Sequence, residues 1–298
     1  MDECSDVKYA DDYLDLVAVG NCGDMMDYRE PETHYYINEG FKNINNIFLR
    51  EFIAAQEFSM KGKVSPFTVS WYVVPYINAM ARTGTIEEKE MLFQSLLDFK
   101  AETLVPSNKR GEKGEQVPLV KEAVRICGLV KARQEKLKKE ILDKVDNSPY
   151  VDNSCGITII CMPHDKIESS ENLNGLIANQ LMGHNHIPAF VLQDYVDEDG
   201  VVHWRGSARG INTNCVHNWR QFVEDSGLAD YAQGHENAFG VSFESVKLEE
   251  FKKYLKNYLS KNNTKLVPHQ DIDFEFDAND LNLVDKISEL AQYKHIWG

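Results

Sequence analysis

Apolar and polar positions give the chain two rhythms. Up to about residue 145 the readable segments are helical. YLDLVAVGNCGDMMDY at 13–28 opens as the end of a helix or as a buried strand, and Gly20 and Gly23 break it. From Glu39 to Glu57, the spacing of Phe41, Ile44, Phe48, Phe52 and Ile53 predicts a helix with one apolar face. VSWYVVPYINAMARTG at 69–84 carries Pro75 in its middle, which predicts a bend or a helix start. Glu87 to Lys100 predicts a helix carrying Met91, Leu92, Leu96 and Leu97, and the polar, glycine-bearing stretch 103–118 predicts a loop. Residues 119–145 lack proline and predict one helix of about 25 residues, near 40 Å long.

After that helix, strands and helices alternate. Strands are predicted at 156–162, 187–195, 201–210, 238–244 and 271–277, and helices at 172–183, 215–227, 248–261 and 282–293. The fold class is therefore α/β, two lobes joined by a long helix, the C-terminal lobe a mixed sheet flanked by helices. The lobes are expected at 1–118 and 148–298, with the helix over 119–147 between them.

Composition adds bounds. A hydrophobic share of 43% supports a packed core, and the six cysteines, with no C-x-x-C pair, read as reduced apolar residues. No run reaches the roughly 18 apolar residues that span a bilayer. The acidic N-terminus is unlike a signal peptide, so a cytoplasmic protein without membrane contact is expected. A net charge of −15 argues against a protein that coats nucleic acid. A local basic groove stays compatible with it.

Three segments carry candidate chemistry. Gly206-Ser207-Ala208-Arg209-Gly210 joins small residues, a hydroxyl and a guanidinium; it reads as a phosphate-binding turn or as a tight turn with a surface arginine. Gln233 to Gly240 reads as a loop leading into a strand, with His235 either reaching a ligand or bonding its own loop. Asn78 and Arg82 share one helical face, as a binding pair or as a cap and a solvated arginine. His184 and His186 lack partners at metal-ligand spacing and read as a polar helix end. Asp194, Asp197, Glu198 and Asp199 read as a hairpin turn at Gly200. Arg133, Lys136, Lys138 and Lys139 read as a solvated face or as a groove wall.

Taken in order, P-x-I-N-A-x-x-R (75–82), N-L-x-G-L-I-A-x-x-L (172–181), I-P-x-x-V-L (187–192), G-S-A-R-G (206–210) and G-H-x-x-A-x-G (234–240) resemble the core and DHH-associated domain of RecJ-type exonucleases. Y-L-D-L-V-A-V-G-N-C-G-D (13–24) resembles the segment that carries the last metal-binding aspartate of the DHH domain. The resemblance covers roughly 13–245. It implies a C-terminal portion of a 5′→3′ exonuclease that acts on single-stranded DNA with manganese or magnesium. Residues 1–118 would hold the end of the DHH domain and 148–298 the DHH-associated domain. It further implies Asp24 as a catalytic metal ligand and Arg82, Ser207 and Arg209, with Gly206, as the 5′-phosphate pocket. Gly234 and His235 would line the nucleotide site, and Asn78 would support the neighbouring turn.

The chain departs from the pattern. No aspartate-rich first motif and no D-H-H triplet occur in it, Gln233 replaces a glycine, and Gly210 stands where a second serine is common. A separately encoded DHH-motif half is the expected partner. Two alternatives remain: a non-catalytic module that grips nucleic-acid ends, and a DHH-family phosphodiesterase for short oligonucleotides or cyclic dinucleotides.

Overall fold

The computed structural model of the protein describes residues 10–145, 148–165, 171–261, 265–269 and 275–292. The chain divides into two compact units, residues 1–134 with 276–298, and residues 135–275.

The first unit is helical. A 3-10 turn at Ala10–Tyr13 leads into α1 (Leu14–Gly23), so the first apolar run is a helix, and Gly20 lies inside it. The one helix expected over 39–57 is two, α2 (Pro31–Lys42) and α3 (Ile47–Ala55). A distant residue sets the break. The buried carboxylate of Asp15 accepts from the backbone N–H groups of Asn45 and Asn46 at 2.8 and 2.7 Å, and Asn46 then caps α3 by accepting from Leu49 N–H.

Next come α4 (Glu57–Met60), α5 (Pro66–Tyr72) and α6 (Val74–Thr83). Pro75 sits in the first turn of α6, where its missing N–H leaves no bond unmade. α7 (Ile86–Leu96), opened by a Thr85–Glu88 capping box, and α8 (Asp98–Ala101) fill the segment expected as one helix. The expected loop at 103–118 has paired ends, β1 (Leu104–Pro106) running antiparallel to β2 (Gln116–Pro118).

α9 (Leu119–Val145) is the long helix, 27 residues without interruption. Val120, Ala123, Cys127 and Val130 pack in the core of the first unit with Phe48, Phe52, Val69 and Met80. Its basic stretch is paired along the surface, Arg133 with Glu88, Lys136 with Glu140 and Lys138 with Glu135.

The second unit is the mixed α/β layer structure. Its elements are β3 (Val151–Asp152), β4 (Thr158–Met162), α10 (Glu171–Asn185), β5 (Ala189–Val196), β6 (Val202–Arg209), α11 (Trp219–Asp225), β7 (Tyr231–His235), β8 (Ala238–Glu244) and α12 (Ser245–Lys261). The sheet order is β3-β4-β5-β6-β8-β7, and only β4 and β5 pair in parallel. On one face Phe190, Leu192, Ala208, Phe239, Val241 and Phe243 meet α11 and α12 through Trp219, Phe222, Phe251 and Leu255. On the other, Ile160, Met162 and Val191 meet Leu173 and Ile177 of α10 and Ile141 and Val145 at the end of α9.

β7 is absent from the sequence expectations. Residues 233–235 close that strand, and the loop is reduced to the turn between β7 and β8. The strand expected at 271–277 falls outside the described residues at 271–274, and 275–277 are not in a strand. α13 (Leu283–Ala291) lies in the segment grouped with the first unit.

Candidate nucleic-acid site

Strand register assembles the site. Arg209 of β6 stands opposite Ala238 of β8, which stands opposite His235 of β7. One row along, Ser207 stands opposite Gly240 and Gly240 opposite Gln233. Residues directly opposite share a sheet face, so Ser207, Arg209, Gln233 and His235 lie on one side with only Ala238 and Gly240 between them. The intervening residues, Ala208 and Phe239, go to the apolar core. Gln233 and His235 are exposed and Ser207 and Arg209 half-buried.

Glycines permit the close approaches. A Cβ on Gly175 of α10 would stand 2.7 Å from Arg209 Nη2 and 3.5 Å from Ser207 Oγ, so the helix passes over both groups with no side chain between. Arg209 Nη1 also donates to its neighbour's carbonyl, Ala208 O, at 2.8 Å. Gly206 lies on the opposite face from Ser207; a Cβ there would stand 2.0 Å from Val191 O, so its work is to let β5 and β6 come together. Gly234 has φ +133°, and a Cβ on it would approach Ala238 O to 2.8 Å. A Cβ on Gly210 would stand 2.5 Å from Trp219 Cδ1 and 2.6 Å from Asn237 Oδ1, which leaves no room for serine.

The β7–β8 turn is bolted to the chain around it. Gly210 N–H donates to Asn237 O at 2.9 Å, and Asn237 Nδ2 donates to Asn212 Oδ1 and His217 O, both at 2.9 Å. Arg220 N–H donates to Glu236 O at 2.9 Å. Between the turn and α10 opens a cleft of ≈ 510 Å³. Asn179 and Met182 line it from α10, Arg209 from β6, Arg220 from α11, and the segment from Gly234 to Ala238 from the hairpin. Arg220 has no signal in the sequence; it sits in an ordinary amphipathic helix.

Asp24, Asn78 and Arg82 lie in the first unit. Asn78 and Arg82 share α6, and burial pulls the Arg82 guanidinium below the usual arginine range. Asp24 follows the last residue of α1, exposed, its N–H bonded to Gly20 O. A Cβ on Gly23 would meet Val74 Cγ1 at 3.8 Å, so Asp24 sits by the start of α6 and Arg82 about 12 Å of helix rise further on.

Among the described residues no group of three or more His, Cys, Asp or Glu side chains is gathered around a point that a metal ion could occupy. Asp24 has no such company, and the described residues do not fit a two-metal centre. Among the described residues the Cys22, Cys127 and Cys155 thiols are buried, and burial pushes Cys22 up to about 11 and Cys127 up to about 12. The acidic segment at 197–200 is a turn, with Asp197 Oδ1 accepting from Asp199 and Val201 N–H and Gly200 at φ +81°. No described helix is long and apolar enough to cross a membrane.

The fold and site define a mixed α/β protein with a cleft on one sheet face that two arginines, Arg209 and Arg220, line. No protein-family model matches the chain. It is 32% identical over 303 aligned positions to proteins named as single-strand DNA-specific exonuclease YorK, one from the SPbeta prophage of Bacillus subtilis (strain 168) and one from Bacillus phage SPbeta. The match takes in 100% of this chain and 51% of each relative, so the chain spans about half the length of the curated relatives it matches. The fold is similar to crystal structures of RecJ from Thermus thermophilus with Mg2+ and with Mn2+. Their TM-scores are 0.64 and 0.65 and their identities 19% and 18%; each match covers 97% of this chain and 40% and 38% of theirs. The resemblance to RecJ-type exonucleases carried by the motifs is thus met in sequence and in fold.

Proposed function

We propose that this chain forms the strand-gripping part of a RecJ-like exonuclease, which degrades single-stranded DNA from its 5′ end. The observation that carries the reading is the placement of Ser207 and Arg209 on the α10 face of the sheet beneath Gly175, with His235 in register across β8. A terminal phosphate placed there accepts from the Arg209 guanidinium and from the Ser207 hydroxyl, bonds that are charge-assisted. His235, on the exposed side of the same row, is placed to donate to the first nucleotide. The motif in α6 assigns a phosphate contact to Arg82 as well, with Asn78 in support. The small residues Ala238 and Gly240 keep the strip between β6 and β7 low enough for a strand to lie flat.

Hydrolysis is assigned to a DHH-motif segment, supplied separately or elsewhere in a longer polypeptide, that carries the aspartates and histidines for manganese or magnesium. Paired divalent cations there would stabilise the attacking and leaving oxygens of the phosphodiester. Asp24 is this chain's contribution to that centre. Ser207, Arg209, His235, Arg82 and Asn78 do the binding, and no step of the cleavage runs through them.

The test compares 5′-phosphorylated with 5′-hydroxyl single strands by fluorescence anisotropy. The phosphorylated strand should bind about tenfold more tightly, the worth of one charge-assisted hydrogen bond, and Arg209→Ala should erase the difference. Equal binding of the two strands would sink the reading. Adding a DHH-motif half and manganese then separates the exonuclease from a module that only binds ends: the first shortens the strand, the second does not.

A further inference from the structure

The cleft beside Arg209 has a second guanidinium. A Cβ on Gly210 would all but touch the Trp219 ring, so the residues on either side of that contact, Arg209 and Arg220, are brought to one place from β6 and α11. The bonding of Arg220 is incomplete. Its Nη1 donates to both oxygens of Glu224, at 2.8 and 2.9 Å, one turn along the same helix. That uses a single nitrogen. The fork that arginine offers to carboxylates and phosphates takes two nitrogens, one for each oxygen. Here Nε is buried and has no hydrogen-bond partner. A buried donor left unmade is a standing cost, removed when the guanidinium finds an acceptor.

Its present partner is weak. The Arg220–Glu224 pair is surface-facing, with 27% and 37% of the two side chains exposed, and solvent screens it. Its order along the helix, arginine before glutamate, is also the less favourable one. Arg220 is therefore held in a loose pair that a phosphate can outcompete. The backbone beneath it is firm: its own N–H holds Glu236 O, so the side chain can swing without moving the turn.

We propose that Arg220 is a second phosphate-binding arginine of this cleft, kept in reserve by Glu224 and released to the phosphodiester next along a single strand whose terminal phosphate lies on Ser207 and Arg209. This rests on the reading of the cleft as a strand-end site. It makes the bound substrate a strand with at least one internal phosphodiester, in preference to a mononucleotide or free phosphate. Glu236, the remaining carboxylate on the cleft wall, faces the same ligand and opposes it.

Two substitutions with opposite expected signs test it, with the whole chain and a short 5′-phosphorylated oligodeoxynucleotide as probe. Arg220→Gln should weaken binding about tenfold. It should also lower the slope of log affinity against log salt by about 0.7, one phosphate contact on a single strand. Glu224→Gln frees the guanidinium and should tighten binding about threefold. A merely structural ion pair predicts no gain from Glu224→Gln, and a damaged fold cannot mimic one, so that variant decides the matter if Arg220→Gln unfolds. Unchanged or weaker binding by Glu224→Gln overturns the proposal. Parent binding that depends on Arg209 but ignores both substitutions overturns this inference alone. A parent that binds no strand overturns the site reading with it.

Discussion

Arg209 lies against Gly175, its Nη2 within 2.7 Å of where a Cβ on that glycine would stand. The two residues come from β6 and α10, and the glycine is a gap in the helix face over Ser207 and Arg209. Glycine inside a helix is normally unfavourable, so Gly175→Ala should hold the stability or raise it by up to about 1 kcal/mol of helix propensity, read as an unchanged or higher melting temperature. The added methyl meets the far end of a flexible side chain, which moves aside. Binding of 5′-phosphorylated strands should then fall about tenfold while the fold persists. A variant with unchanged affinity would show that the gap is only a packing accident.

His203 stands between two carboxylates, Nδ1 at 2.8 Å from Asp230 Oδ2 and Nε2 at 3.0 Å from Asp197 Oδ2. The Asp230 hydrogen bond, with the Asp197 bond beside it, raises the imidazole above its usual 6.5. Tyr195 stacks on the ring and Glu244 stands opposite it in β8. A group whose pKa is raised on folding adds stability that is complete below the unfolded value and is lost as pH rises through the folded value. Melting temperature should therefore decline from about pH 6.5 upward. His203→Gln should flatten that decline; equal slopes in parent and variant would remove His203 as the cause.

Asp15 accepts three backbone hydrogen bonds, from Leu16 N–H at 2.7 Å besides those from Asn45 and Asn46. Asp15→Ala removes the acceptor of both distant N–H groups and leaves that of buried Asn46 unmade. The expected loss is about 2–4 kcal/mol, read from urea unfolding, with the cost falling on the α2–α3 junction. Asp15→Asn, which keeps an acceptor oxygen, should lose less.

Gly210→Ser restores the residue type common at this position of the motif but sets a Cβ within 2.5 Å of the Trp219 ring and 2.6 Å of Asn237 Oδ1. Overpacking of this kind costs about 1–3 kcal/mol. Urea unfolding should show that loss and Trp219 emission should shift; a variant as stable as the parent would mean that the ring has room to move.

The segment expected as a phosphate-binding turn is legible because its chemistry is local: Gly206, Ser207 and Arg209 adjoin in sequence, although the structure keeps them in β6 and makes no turn there. Arg220 is not, because tertiary contacts carry it to the cleft, Gly210 against Trp219 and its own N–H on Glu236 O. Gly175 stands within a motif, but nothing in the chain says that a guanidinium will fill its gap. Gly206 shows the reverse: placed in the phosphate pocket from the motif, it serves strand pairing on the other face.

By itself the sequence determined the long helix, the alternation of strands and helices after it, and a bend or helix start at Pro75, since periodicity, proline chemistry and caps act over a few residues. Tertiary structure decided what depends on distant partners. The break between α2 and α3 waits on Asp15, the β1–β2 pairing closes a polar segment read as loop, and β7 exists because β8 offers it an edge. The site follows the same division: its residue types are written along the chain, and strand register alone puts Arg209, Ala238 and His235 in one row.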